Sequence, residues 1–339
     1  MKKLLLILAV ACVLGVLCAN LFNRFVHPDI RFFQEASMAS DRWSEELSLQ
    51  ERDGRLYIFS GGSEARFGVD PAILLKEYGI PSINAGMTAG YGLRPNLLMA
   101  LRYARPGDVV IGCISFRPYA GESAEGIRAA FYRTGIQAFT SPMLSFSPEA
   151  AKALFKSSSS DINSYVARRL LTPHNVYKYY QKTVLHESGW GEIQYTDAQR
   201  AESQPLPADI RRIELTPPRE YLDFLRDLKT ALEEKGVELW VWYHPDKQHS
   251  SWRVPRAYEI LELVKLGCKV LRDDTFNVID RGELFSDRIF HVSALGAGMN
   301  TRKLGQLIRK PDFWTEESLT AWLYVHGWDA QGNRIRQPE

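Results

Sequence analysis

Residues 55–64, RLYIFSGGSE, decide the fold of this chain. A run of mostly apolar and β-favouring residues precedes two glycines, which is typical of a buried strand that ends in a tight turn. Similar short apolar runs follow at 80–84, 109–114, 237–243 and 268–271. Because helical patterns separate them, these runs predict an α/β fold with a parallel sheet and helices on both of its faces.

The helical segments between these runs have ordinary start and stop signals. Residues 70–78 begin with Asp70 and Pro71 and end before Gly79, as expected for a capped helix with a glycine after its last turn. Residues 219–235 show the clearest helical periodicity, with leucine and aromatic side chains on one side. Further helices are predicted at 40–51, 95–103, 257–266 and 293–308.

The α/β domain is predicted to span residues 54–310. Residues 23–53 are predicted to form a stalk that leads into it, and residues 117–216 form a helical insertion that caps or flanks the sheet. Within the insertion, helical patterns cover 148–156, 161–171 and 174–185. Residues 311–339 form a tail that contains Phe313, Trp314, Trp322, Tyr324 and Trp328. We interpret the tail aromatics as packing against the domain, with stacking on sugars or contact with a membrane as the alternatives.

The composition argues against nucleic-acid binding and against a metal site. The chain has 339 residues, 45% of them hydrophobic, and a formal net charge of +2, so nothing indicates nucleic-acid binding. Its cysteines, Cys12, Cys18, Cys113 and Cys268, show no C-x-x-C spacing, and no metal or other cofactor is predicted. We expect Cys113 and Cys268 to be buried thiols, with a disulfide between them as the alternative.

The N-terminus determines the predicted compartment. Lys2 and Lys3 precede an apolar segment at 4–22, in which residues 4–19 carry no polar side chain. This length is barely enough to span a bilayer, and no convincing cleavage site follows it. We predict an uncleaved single-pass anchor in the inner (cytoplasmic) membrane, with the domain in the periplasm or outside the cell. A cleaved signal peptide and a buried core helix are the alternatives.

The sequence Gly61-Gly62-Ser63-Glu64 places a hydroxyl where the first strand turns into a helix. Ligand sites in open α/β sheets gather at this carboxyl edge of the strands. The glycines allow a tight turn, and the start of a helix offers N–H groups to a negative oxygen. Ser63 is therefore a candidate nucleophile whose own amide helps to hold an oxyanion, and a simple helix-capping role is the alternative.

A second polar group, Asp287-Arg288-Ile289-Phe290-His291, directly precedes the last helix of the domain. A serine nucleophile needs a base, and the base needs a carboxylate that orients it. Since Ser63 follows the first strand and His291 follows the last, both loops are expected at the same edge of the sheet. Asp287 and His291 then complete a catalytic triad with Ser63.

Two further polar residues have simpler interpretations. His244 ends the strand at 237–243 and is interpreted as structural, with substrate contact as the alternative. Arg66 is interpreted as a solvated charge near the start of a helix, with pairing to Glu64 or binding of an anionic substrate as the alternatives.

The motifs resemble the SGNH (GDSL-like) hydrolase superfamily in their order along the chain. The stretches are IFSGGSEARFGVDP, SINAGMTAGYG, RPGDVVIG and FSDRIFHVSALGAG, within residues 55–115 and 219–308. The nearest resemblance is to the membrane-anchored envelope branch, which includes the D-alanyl transfer protein DltD and proteins of exopolysaccharide O-acetylation. It implies a three-layer, flavodoxin-like, doubly wound parallel sheet with Ser63, Asp287 and His291 as the triad.

The chain departs from the superfamily pattern at two points. Three residues separate Asp287 from His291, where the superfamily has two. The oxyanion asparagine that the superfamily carries after its third strand is absent, because Ser115-Phe116-Arg117 occupies that place. The resemblance suggests the amide of Gly86 as a second oxyanion donor, and Asn84 and Gly62 are the other candidates for oxyanion or substrate binding.

These observations predict an extracytoplasmic, serine-dependent acyltransferase or esterase. The expected substrate is an O-acyl group, such as acetyl, on an exported polysaccharide or other envelope polymer. The resemblance also implies a multi-pass membrane acyltransferase as a partner. A non-catalytic SGNH-fold protein for assembly or polymer binding is one alternative, and a flavodoxin-like phosphate binder that uses the Gly61–Ser63 turn is another.

Overall fold

The computed structural model describes residues 28–49, 54–87, 93–114, 183–193, 219–246, 252–279, 281–285 and 291–335, together with Pro217 and a few single positions before residue 19. Most of the predicted anchor at 4–22 lies outside these residues, as does the predicted insertion apart from 183–193. Asp287 also lies outside them. Within the described part of the chain, no helix combines the length and the apolar character needed to cross a bilayer.

The described core is a parallel sheet of five strands. In chain order these are β1 (Tyr57–Gly61), β2 (Ser82–Asn84), β3 (Val109–Ile114), β6 (Glu238–Tyr243) and β7 (Lys269–Val270). The strands β4 and β5 form a separate hairpin, described below. Their order across the sheet is β2-β1-β3-β6-β7, and every neighbouring pair is parallel. The predicted parallel α/β architecture is thereby confirmed.

Helices connect the strands and flank the sheet. They are α1 (Pro28–Leu49), α2 (Ser63–Gly68), α3 (Pro71–Tyr78), α4 (Leu93–Leu98), α5 (Arg219–Glu233), α6 (Arg253–Lys265), α7 (Ala294–Arg309) and α8 (Glu316–Val325). Short 3₁₀ turns cover Met99–Arg102 and Gly282–Leu284. Local signals explain several ends, since Asp70 caps α3, Gly79 ends it in the left-handed region, and Ser293 caps α7.

Each face of the sheet is buried under a separate apolar cluster. On one face, Ile58 and Val110 pack with side chains of α4, α5 and α6. On the opposite face, Phe59 and Ile111 pack with side chains of α3 and α7. Helices therefore cover both faces, which explains why the strands are apolar on both sides.

Two segments outside the sheet differ from the sequence prediction. Residues 28–49 form one long helix, whose buried Phe33, Ala36 and Leu47 lie in or beside the core, so the predicted stalk does not describe this stretch. Its contacts could not be read from local periodicity because they are made with β2 and its loop. Trp43, for example, donates from Nε1 to the carbonyl of Ser82 at 2.9 Å.

The predicted helix at 174–185 is wrong at its last three residues. Thr183–Leu185 form strand β4, which pairs antiparallel with β5 (Gly191–Ile193) around a turn at Gly189. Gly189 has a φ of 79°, a conformation that favours glycine and closes the hairpin.

Four of the five tail aromatics pack on the domain, as interpreted from the sequence, whereas Tyr324 is 59% exposed. Trp314 stacks on Phe276 with ring centroids 5.0 Å apart, and Trp322 meets the same ring edge to face at 4.6 Å. Phe313 packs against Trp240 of β6, and Trp328 contacts Tyr258 of α6. The tail therefore belongs to the core around β6, β7 and α6.

Candidate functional site

The candidate site lies at the carboxyl end of β1, where the chain order of the strands reverses. From β1 the chain passes to β2 on one side of it and then to β3 on the other. Crevices form at such a switch point and are the usual ligand sites of open α/β sheets. Ser63, the first residue of α2, follows β1 directly at this point.

Two glycines allow the turn that presents Ser63. A Cβ on Gly61 would lie 2.2 Å from the carbonyl oxygen of Cys113 on the neighbouring strand, which no side chain tolerates. A Cβ on Gly62 would lie 2.4 Å from Oε2 of Glu64. The first glycine therefore permits close strand packing, and the second leaves room for a carboxyl group.

The structure brings Ser63 and His291 into direct contact. His291 Nε2 lies 2.8 Å from Ser63 Oγ, although 228 positions separate the two residues in the chain. Ser63 is buried and His291 is half-buried. If the imidazole carries its proton on Nδ1, Nε2 accepts the serine O–H, which is the arrangement required of a general base.

The segment around His291 is held by short contacts with the 3₁₀ turn that precedes it. Phe285 and Val292 form an antiparallel bridge, and the amide of Ser293 donates to the carbonyl of Leu284 at 2.8 Å. The His291 ring also meets the edge of Phe67 of α2, with centroids 5.1 Å apart. These contacts fix the imidazole relative to the helix that carries Ser63. Asp287, the predicted orienting acid, lies outside the described residues.

The predicted oxyanion donors are engaged elsewhere. Asn84 is fully buried, and its Nδ2 donates to the carbonyls of Ala65 at 2.9 Å and Val69 at 2.7 Å. Its Oδ1 accepts the amide of Gly86 at 3.0 Å. Asn84 thus ties β2 to the segment around α2, and both its side-chain amide and the amide of Gly86, the predicted oxyanion donors, are hydrogen-bonded within the protein.

The third candidate, Gly62, is engaged in the same way. Its amide donates to Oε1 of Glu64 at 3.1 Å. Ser63, by contrast, lies in the first turn of α2, where backbone N–H groups have no acceptor within the helix. Its amide is therefore the candidate donor that the geometry favours.

Glu64 is a site residue that the sequence analysis did not single out. Its side chain is only 2% exposed, and burial raises the pKa of its carboxyl. Hydrogen bonds from its own amide and that of Gly62, and the nearby His291, oppose this rise. The only available sequence signal was its place next to Ser63, which does not distinguish a buried acid from a solvated one.

Arg66 is also buried, so its interpretation as a solvated charge is wrong. Burial lowers the pKa of its guanidinium to about 10. Its Nε donates to the carbonyl of Gly86 at 2.7 Å, and Nη1 donates to the hydroxyl of Ser40 at 3.0 Å and to the carbonyl of Gly189 at 2.5 Å. Arg66 therefore ties α2 to α1, to the loop after β2 and to the β4–β5 hairpin.

The β4–β5 hairpin is a second feature that the sequence analysis missed. Trp190 donates from Nε1 to the carbonyl of Phe67 at 3.0 Å, so the hairpin is hydrogen-bonded to the helix that carries Ser63. The same indole packs in an apolar cluster with Phe285 and Val292, which flank the His291 segment. One side chain thus contacts the supports of both Ser63 and His291.

Two other histidines near the site, His244 and His186, pack within the protein. His244 is fully buried, with its ring against Gly68, where a Cβ would come within 2.1 Å of Cε1. His186 Nε2 lies 2.9 Å from a carboxylate oxygen of Glu192, and its ring stacks on Trp190. Among the described residues, no group of His, Cys, Asp and Glu side chains is arranged to hold a metal ion.

Comparisons with known proteins give no further assignment. Neither protein-family models, nor curated proteins, nor solved structures show a significant match to this chain.

Proposed function

We propose that this chain is a serine-dependent acyltransferase or esterase of the SGNH type. The observation that carries the proposal is the 2.8 Å contact between Ser63 Oγ and His291 Nε2. The order of the strands across the sheet, β2-β1-β3-β6-β7, supports it. When only the five strands of this sheet are numbered along the chain, this order becomes 2-1-3-4-5, which is the flavodoxin-like order. Proximity of a hydroxyl and an imidazole at a switch point favours nucleophilic chemistry over simple helix capping.

The proposed reaction begins with transfer of the Ser63 proton to His291 as Oγ bonds to the acyl carbon. The amide of Ser63, at the start of α2, holds the oxyanion of the tetrahedral intermediate. His291 then protonates the leaving group, and a second cycle passes the acyl group to water or to a hydroxyl acceptor. Asp287 orients the imidazole in this proposal, as the resemblance implies.

The proposed substrate is an O-acyl group on an exported polysaccharide or another envelope polymer. This part of the proposal follows from the resemblance and from the apolar segment at 4–22, which we propose as an inner-membrane anchor. A multi-pass membrane acyltransferase is the partner that the same resemblance suggests.

Labelling by a fluorophosphonate probe tests the proposal directly. Wild-type protein is expected to react with the probe, and Ser63→Ala is expected to be inert. Ser60→Ala, which removes a buried hydroxyl from the preceding strand, is the control and should still be labelled. Turnover of an acyl ester, with water and an oligosaccharide offered as acceptors, then separates hydrolysis from transfer. Equal labelling of the wild type and Ser63→Ala would disprove the assignment of the nucleophile.

One observation favours the non-catalytic alternative of an assembly or polymer-binding protein. The amides of Gly62 and Gly86 and the side chain of Asn84 are all hydrogen-bonded within the protein. Loss of one oxyanion donor typically costs ~3–4 kcal/mol of transition-state stabilisation. Polymer binding without labelling of Ser63 would support this alternative.

A further inference from the structure

Glu64 lies at the centre of the site but has no part in the proposed triad. It is the second residue of α2, directly after the nucleophile, and its carboxyl group folds back over Gly62. Oε1 accepts the Gly62 amide at 3.1 Å, and the side chain is 2% exposed. An acid held this way cannot turn to solvent without breaking a buried hydrogen bond.

Three titratable groups from other parts of the sheet edge interact electrostatically with this carboxyl. They are Cys113 from the end of β3, Asp246 beyond the end of β6, and His291 before α7. Asp246 is already paired with Arg256, and both of those side chains are fully buried. Burial raises the pKa of the Cys113 thiol, which keeps it neutral. Of these three groups, His291 alone can become a cation beside Glu64.

We propose that Glu64 is a positioning residue whose carboxylate stabilises the protonated form of His291 while Ser63 is being acylated. The inference rests on the proposed function. When the Ser63 proton moves to Nε2, the imidazole becomes a cation in a largely desolvated site, and a nearby fixed negative charge lowers the free energy of that state. When His291 gives the proton to the leaving group, the charge pair disappears again.

The geometry also assigns Glu64 a structural contact, so the test must separate charge from hydrogen bonding. Glu64→Gln keeps an acceptor for the Gly62 amide but removes the charge. Glu64→Asp keeps the charge but is too short to make the same contact. If charge matters, kcat falls roughly 10- to 100-fold in Glu64→Gln with little change in KM, because the cation that forms on His291 loses a nearby negative charge.

In the same experiment, Glu64→Asp is expected to retain more activity than Glu64→Gln. A structural role alone predicts the reverse order, with Glu64→Gln close to the wild type, and that order would overturn the inference. Activity above the wild type in Glu64→Gln would overturn it too, because the carboxylate would then be opposing the oxyanion.

A measurement that needs no turnover keeps the inference separate from the proposed function. The ¹³Cδ resonance of Glu64 is followed against pH in the full chain and in His291→Gln. Because the nearby His291 lowers the pKa of Glu64, its replacement should move the Glu64 titration to higher pH, and an unchanged midpoint would refute the coupling. Coupling without Ser63 labelling would refute the enzyme and leave the charge pair intact, whereas labelling without coupling would refute only the role of Glu64.

Discussion

The carboxyl of Glu259 makes the stability of this protein depend on pH. Glu259 lies on α6 inside the larger apolar cluster, 3% exposed, and Oε1 accepts the hydroxyl of Tyr221 at 3.0 Å. Burial raises the pKa of this carboxyl to about 7, against an ordinary value of 4.5, although Tyr243 and Arg256 oppose the rise. Folding therefore favours the protonated acid.

The sign of the effect follows from proton counting. Between pH 4.5 and 7 the folded protein binds more protons at Glu259 than the unfolded chain does, so stability falls as pH rises. The contribution is fully present below the unfolded pKa and is lost by the time pH passes the folded pKa. At about 1.4 kcal/mol for each tenfold change in proton concentration, the loss amounts to about 3 kcal/mol as an upper estimate.

Glu259→Gln removes the titration but keeps an acceptor for Tyr221. Urea unfolding of the wild type and the variant is measured at several pH values from 4.5 to 7.5. The difference in unfolding free energy between the two should change by about 3 kcal/mol across this range, in favour of the variant at high pH. Glu234→Gln, an exposed acid just after α5, is the matched control. Parallel pH curves for the wild type and Glu259→Gln would refute the reasoning.

Three further substitutions test the supports of the site. Asn84→Ala removes the side-chain donor to the carbonyls of Ala65 and Val69 and the acceptor of the Gly86 amide, all of them buried, so it should cost about 3 kcal/mol, measured by thermal unfolding; a loss below about 1 kcal/mol would contradict the proposed tie. Gly61→Ala should cost at least about 2 kcal/mol because its Cβ would meet the backbone of β3. Gly298→Ala is the control and should be neutral or stabilising, because its Cβ would meet only the end of a flexible arginine side chain. Equal stability of the two variants would argue against the steric account. Trp190→Phe loses its hydrogen bond to α2, so it should cost about 1 kcal/mol and slow the labelling of Ser63, and an unchanged labelling rate would show that the hairpin does not position the nucleophile.

The strands were predictable because a doubly covered parallel sheet requires short, continuously apolar runs. The run at 109–114 coincides with β3, and the run at 237–243 differs from β6 by one residue. Helix ends were less predictable. The helix expected at 95–103 is α4 followed by a 3₁₀ turn, and α6 begins at Arg253, because proline at 255 is tolerated in a first helical turn.

The candidate site was predictable only in part. Gly61-Gly62-Ser63 carried a local signal, since glycines before a serine mark a turn at the end of a strand. The burial of Glu64 and Arg66 carried none, because both are charged residues near a helix start and sequence alone favours solvent for them. Asn84 likewise reads as an ordinary residue after a strand, and its hydrogen bonds to α2 exist only in the folded protein.

Local periodicity and turn chemistry are properties of neighbouring residues, so the sequence by itself determined the parallel α/β architecture and the placement of a serine in the turn after its first strand. The meeting of Ser63 with His291 depended on bringing together two ends of the domain. The hydrogen bonds that occupy the expected oxyanion donors, and the contact of the β4–β5 hairpin with α2, also depended on it. These are long-range contacts, and their geometry is decided by how the helices and loops pack around the sheet.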